Sequence, residues 1–220
     1  MERTLHQELK SLYARDGETE VTVGEFRIDA VARGELIEIQ CASLSAIKNK
    51  CGKLVQSRKL RVVKPLIRRT RIRKLDASGN KLVSLRMSPK RGHRADIFDE
   101  LVYIAGLLKE PNFILEVPSI HVEQTRRPRP ARKRRWGRRD YQVLDVRLES
   151  IEDKHVISQP ADLWPFLGLE PPVEAFNTQQ LAQRVDCSRH RAQQIAYVLR
   201  HCGAVEALGR KRDGIQYRAA

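Results

Sequence analysis

No apolar run long enough to cross a bilayer, about 18 residues, occurs in this 220-residue chain, and no signal-peptide pattern opens it. These absences point to a soluble, cytoplasmic protein with no membrane partner. Cysteine is scarce. Cys41, Cys51, Cys187 and Cys202 show no C-x-x-C and no zinc spacing, which argues for reduced thiols. Acidic residues are the other shortage: 27 Asp and Glu stand against 42 Lys and Arg, for a net charge of +15 and a sequence pI near 10.1. They are missing altogether from two stretches. Residues 58–74 hold nine basic side chains and no acid, and residues 126–139, RRPRPARKRRWGRR, hold nine basic side chains, no acid and two prolines. Clustered positive charge is the footprint of a polyanion, DNA first and RNA as the alternative. The plainer readings are charge that keeps the protein dissolved and, for 58–74, a solvated face. The hydrophobic fraction of 41% is enough for a core.

What is present is a pair of strands with a chemical signature. Phe26-Arg-Ile-Asp-Ala-Val-Ala32 and Glu35-Leu-Ile-Glu-Ile-Gln40 both alternate apolar and polar, and Arg33-Gly34 joins them. The alternation predicts half-buried strands and the Gly-containing dipeptide predicts a tight hairpin. Folding there sets Ile28 against Ile39 and Ala30 against Ile37 on one apolar face. Asp29 then faces Glu38, and Arg27 faces Gln40, on the other. Opposed carboxylates, with Cβ atoms about 4.5–5.5 Å apart, destabilise a sheet. A hard divalent cation, Mg²⁺ or Mn²⁺ held by Asp29 and Glu38, is the usual reason for such a pair. The plainer readings are Asp29 paired with Arg27 or Arg33 and Glu38 as an exposed edge residue.

Around the hairpin the periodicity predicts helices over 2–14, 43–55, 95–108 and 161–167. It predicts strands over 21–24, 60–67 and 113–124, and hairpins over 71–87 and 141–157. Glu8 sits at the edge of the Leu5/Leu9/Leu12 stripe of the first helix. The basic block reads as a connector over 126–140, which either binds a nucleic-acid backbone through Arg132, Lys133, Arg134 and Arg135 or merely joins two lobes. The last residues predict two helices, over 178–185 and from Ser188 to 201, then strands over 204–208 and 215–218 around a basic turn. A helix–turn–helix followed by a basic-tipped hairpin is the winged-helix plan. Arg189, His190, Gln193 and Gln194 would face a DNA groove, and Arg210, Lys211 and Arg212 would form the wing tip. Winged helices also bind proteins, and that alternative stays open.

The order Glu8 on a helix, Asp29 in RIDAV, Glu38-Ile39-Gln40 in LIEIQ, then a helix over 43–55 resembles the PD-(D/E)XK nuclease superfamily. The resemblance covers about the first 65 residues. It implies an α/β fold of the restriction-endonuclease type, a mixed sheet flanked by helices, over residues 1–125. It also implies Mg²⁺ on Asp29 and Glu38, often with the helix glutamate, and hydrolysis of DNA phosphodiesters. Position 40 departs from the pattern, with Gln where the family usually carries Lys. The missing cation falls to Lys48, Lys50 or Lys53, with Lys48 favoured as nearest the helix start. Gln is also found at that position in some enzymes of the fold, so a catalytic set of Glu8, Asp29, Glu38, Gln40 and Lys48 is expected. The alternative is a nuclease-fold protein that binds DNA without cutting it. Residues 141–172 then form a linking region and 173–220 the winged-helix domain. A homodimer is compatible with nucleases of this fold that cut both strands.

Overall fold

A computed structural model describes residues 4–15, 17–129 and 140–220. The architecture is mixed α/β: an eight-stranded mixed sheet flanked by helices, with a two-stranded hairpin beside it. Helix α1 (Thr4–Tyr13) precedes an antiparallel meander, β1 (Glu18–Val23), β2 (Phe26–Ala32) and β3 (Glu35–Ile39). The β2–β3 ladder has the expected pairs beside the turn, Ala30 opposite Ile37, Val31 opposite Leu36 and Ala32 opposite Glu35, but it ends there: the expected pairs Asp29 with Glu38, Ile28 with Ile39 and Arg27 with Gln40 are not formed. Arg33 and Gly34 both have positive φ, 52° and 77°, the turn whose twist suits a two-residue hairpin. A 3-10 turn (Leu44–Ile47) then runs into α2 (Lys48–Leu54), and β4 (Leu60–Val63) returns parallel to β3.

Strand β4 and the next strand, β5 (Leu66–Leu75), are two halves of one path along β7 (Phe113–Pro128). Leu60 faces Phe113, Val63 faces Glu116 and Leu66 faces Ser119, all at one offset. That offset sets Pro65 opposite Pro118. Neither has an N–H to donate, so the ladder breaks where little is lost. Strand β6 (Leu82–Met87) pairs with the outer side of β5.

Three expectations are corrected here. Residues 95–108 do not form one helix. They make a 3-10 turn (Arg94–Ile97), a single α turn, α3 (Phe98–Leu101), and a second 3-10 turn (Ala105–Lys109). Val102, Tyr103, Ile104 and Gly106 are weak helix formers, and Ile104 leaves helical geometry at φ −121°, ψ 14°. Residues 141–157 are not a hairpin but one 17-residue strand, β8 (Tyr141–Ile157). Its register against β7 shifts at three points, so Glu152, Glu149 and Leu144 each have no opposite residue. These bulges disturb the alternation that sequence periodicity reads. The start of the expected connector, Arg126 to Pro128, belongs to β7, and Pro128 faces Tyr141. The basic block therefore joins two adjacent strands of one sheet.

The remaining elements are a 3-10 turn (Pro160–Asp162), α4 (Leu163–Phe166), α5 (Thr178–Val185), α6 (Arg189–Cys202), β9 (Val205–Lys211) and β10 (Gly214–Ala219). Two apolar clusters fill the molecule. One places Leu5 and Leu9 of α1 against Ala30, Ile37, Ile39, Val63, Ile120 and Val122. The other is larger and continuous. It runs from Leu36, Leu60 and Val62 through Cys51 and Leu54 of α2, Phe98 and Leu101 of α3, and Trp164 and Phe166 of α4. It ends at Ile195, Leu199 and Tyr217 of the C-terminal elements.

Candidate functional site

Strand β2 changes faces at Asp29. Ile28 packs in the larger cluster and Ala30, two residues on, in the smaller; in a regular strand they would share a face. Opposite Asp29 in β1, Glu20 has a φ of 55°, left-handed backbone that is costly for this residue type. Thr19 pairs with Ala30 and Val21 with Ile28, but the step between them is not a ladder pair. The expected single apolar face, Ile28 with Ala30, is thus corrected. Asp29 sits where β2 separates from β3, and its Oδ2 accepts a 2.7 Å hydrogen bond from the Ile39 backbone N–H.

The same Oδ2 lies 3.3 Å from His6 Nε2 on α1. Burial alone would raise the Asp29 pKa. The hydrogen bonds from His6 and Ile39, with the charges of His6 and Lys10, outweigh burial and hold it below the ordinary value. Glu38 is only 8% exposed. Its Oε2 accepts a 2.6 Å bond from Lys50 Nζ, which also donates to the Arg27 carbonyl at 2.5 Å. Burial pushes the Glu38 pKa up, the Lys50 bond opposes it, and the negative charge of Asp29 adds to the rise, so the net direction is upward. The two acids are therefore electrostatic neighbours, each compensated from a different layer: Asp29 from α1, Glu38 from α2.

The other expected site residues go elsewhere. Glu8 is absent from this group; its Oε2 accepts from the Leu148 backbone N–H at 2.6 Å and ties α1 to β8. On α1, His6, Lys10 and Tyr13 share one flank of the Leu5/Leu9 stripe and Glu8 lies on the other. The first flank faces the sheet: His6 meets Asp29, Lys10 meets Glu20, and Tyr13 donates to Glu116 at 2.5 Å. Gln40 donates to the Ser43 carbonyl at 2.8 Å, holding the loop that enters α2. Lys48 is exposed and lines a groove away from Glu38. Lys50 takes the position expected of Lys48. Spacing did not separate the two, because Lys48 lies four residues after buried Leu44 and three before Cys51, while Lys50 lies three after Ile47 and four before Leu54. His6 had no comparable signal.

A second charged cluster lies toward the other end of β3. Arg61 reaches Glu35 and Glu116, both at 2.8 Å, and the Tyr13 hydroxyl is pushed upward by burial and by Glu116. Sequence reasoning missed this cluster, since its members are far apart in the chain.

In the C-terminal elements, Arg189, His190 and Gln193 are exposed on α6. Gln194 is not on that surface: it hydrogen-bonds Asp99, where Arg191 also binds Asp99 at 2.5 Å and docks α6 on α3. Arg210 and Lys211 are exposed at the end of β9, and Arg212 in the turn that follows. Arg132, Lys133, Arg134 and Arg135 lie outside the described residues.

As a donor set, Asp29 and Glu38 offer hard carboxylate oxygens. Among the described residues, no group of three or more His, Cys, Asp or Glu could hold a metal ion. Carboxylate oxygens are the donor type that Mg²⁺ takes, and each of these two already accepts from a protein side chain, Asp29 from His6 and Glu38 from Lys50. Among the described residues no helix is long and apolar enough to cross a membrane.

Searches of curated proteins and of solved structures found no match. A family model does match residues 3–158, more than half of the chain and across the whole eight-stranded sheet, so the chain belongs to the family described as a domain of unknown function, DUF8091.

Proposed function

We propose that this protein is a metal-dependent nuclease of the PD-(D/E)XK type, acting on DNA phosphodiesters at Asp29, Glu38 and Lys50. The observation that carries the reading is the buried Glu38 carboxylate, raised in pKa by burial and by Asp29, with Lys50 bonded to it from the following helix. The order of elements adds support. A helix, a three-stranded antiparallel meander, a helix and a strand parallel to β3 place Asp29 and Glu38 on β2 and β3, as the resemblance implies. A bound Mg²⁺ or Mn²⁺ would polarise a phosphoryl oxygen and lower the pKa of an attacking water. Asp29 and Glu38 are the residues to hold it. Lys50, released from Glu38, provides a cation for the scissile phosphate, the task that Gln40, turned toward Ser43, does not perform. His6 fixes the orientation of Asp29.

Binding rests on positive charge elsewhere. We read α5, α6, β9 and β10 as a winged helix, with Arg189, His190 and Gln193 toward DNA and Arg210, Lys211 and Arg212 at its tip. The alternative is a DNA-binding protein of the same fold that does not cut. It is favoured by one observation: both carboxylates already have protein partners, Asp29 the His6 imidazole and Glu38 the Lys50 ammonium.

The test is cleavage of linear, nicked, branched and single-stranded DNA with Mg²⁺ or Mn²⁺. Asp29→Ala, Glu38→Ala and Lys50→Ala should each lower the rate by at least about 100-fold, with DNA binding retained. Wild-type protein inert on every substrate would leave the binding-only reading.

A further inference from the structure

The opposite side of α2 from the Glu38 contact lines a groove of about 660 Å³, closed by β2, residues 102–107 and α6. Its lining exposes two tyrosine side chains. Tyr103 and Tyr197 are 48% and 45% exposed, each a large ring left in water. Tyr197 stacks on His201 with centroids 3.8 Å apart and planes 27° from parallel, so it stands as a braced platform. Lys53 lies over the Phe26 ring at 5.5 Å, and Lys48 adds a second ammonium to the same wall. The one acid in the lining, Glu25, is bound to Lys53 at 2.6 Å.

Aromatic faces interleaved with lysines match the chemistry of a single nucleic-acid strand, whose bases stack on rings while its phosphates meet cations. We propose that this groove binds unpaired nucleotides of a DNA strand, bases on Tyr103 and Tyr197, phosphates on Lys48 and Lys53. Its link to cleavage rests on the nuclease reading above. Helix α2 carries Lys50 to Glu38 and, on its other side, Lys48 and Lys53 into the groove. In β2, Phe26 lines the groove while the carbonyl of its neighbour Arg27 accepts from Lys50. A strand engaged at the carboxylates is thereby led into the groove, and the substrate class narrows to DNA with an unpaired segment. Two lysines against one acid in the lining, on a chain of net charge +15, favour a polyanion over an apolar peptide in this place.

The experiment is fluorescence anisotropy with a labelled oligothymidine and a blunt duplex of equal length, in EDTA so that cleavage plays no part. Tyr103→Ala and Tyr197→Ala should each weaken oligothymidine binding by about 5- to 100-fold, the loss expected for one base stack. Duplex affinity should stay nearly unchanged, and Tyr103→Phe and Tyr197→Phe, which keep the ring, should bind like wild type. Equal losses on both DNAs, no loss on oligothymidine, or wild-type protein that ignores oligothymidine would each overturn the proposal. The outcome is separable from the nuclease reading. A protein that never cleaves yet shows this pattern keeps the groove, and one that cleaves without it loses only the groove.

Discussion

Asp29 serves two donors through one carboxylate oxygen, the Ile39 amide and His6. Its pKa is held below the ordinary 3.8, because those bonds outweigh burial. The sign follows from linkage. A depressed carboxylate contributes stability that is present above the unfolded-chain pKa and is lost as pH falls through the lower folded value. Glu38 runs the other way. Its pKa is raised above 4.5, chiefly by burial, so its contribution is full below that value and lost as pH rises through the raised one. Asp29→Asn keeps an acceptor for Ile39 but removes the charge facing His6. It should cost about 1–2 kcal/mol at neutral pH, and the gap to wild type should close in acid below the ordinary Asp value. Glu38→Gln should cost less at neutral pH. Urea unfolding of the three proteins across the acid range checks both. A gap for Asp29→Asn that persists in strong acid would mean the site depends on shape at Asp29, not on its charge.

The elements repeat this division between what pattern dictates and what partners dictate. Docking of α6 on α3 combines apolar contact with one charged clasp, in which Arg191 bonds Asp99 at 2.5 Å and lies 3.5 Å from Asp96. Both acids are substantially exposed, so solvent screens the pair. Arg191→Ala should therefore cost only about 1 kcal/mol, with much of it recovered as coupling to Asp99→Ala in a double-mutant cycle. A coupling of zero would leave docking to Ile195, Val198 and Leu199 alone. The β2–β3 pairs next to the turn were legible from alternation around Arg33-Gly34, though the expected pairing of Asp29 with Glu38 was not formed, and the α5–α6–β9–β10 order was legible from caps and Gly203. The face change at Asp29 was not. It depends on Glu20 taking a left-handed backbone across the sheet, a tertiary choice with no local signature. Likewise, one strand over 141–157 was hidden by three bulges that only pairing with β7 reveals. Helical spacing puts both Lys48 and Lys50 beside buried positions, so the choice between them needed the place of Glu38, and the departure of Glu8 to the Leu148 amide required knowing where β8 lies.

At the scale of the whole molecule, the C-terminal elements share their core with the sheet. Trp164 is 2% exposed and stands edge-on to Phe176 at 6.0 Å, and Phe176 packs on Tyr217 at 5.9 Å. Phe166 contacts both Phe98 and His155 at the end of β8. The large cluster thus passes without a gap from β3 and β4 to β10, and removing any part of it exposes apolar surface on the rest. One cooperative transition is expected for the chain, not one for the sheet and another for the last helices. Of the two tryptophans, Trp136 lies in the basic block, so Trp136→Phe leaves Trp164 as the sole reporter. In that background, Trp164 fluorescence, which follows the junction, and far-UV circular dichroism, which follows every helix and strand, should give the same urea midpoint. Trp164→Ala should lower the dichroism midpoint by an amount equivalent to about 3–5 kcal/mol, the cost of emptying a large buried site. Because the core is shared, that loss should appear in the sheet as much as in the C-terminal helices. Two separated transitions, with the Trp164 change confined to the weaker one, would instead make residues 173–220 an independent domain resting on the sheet.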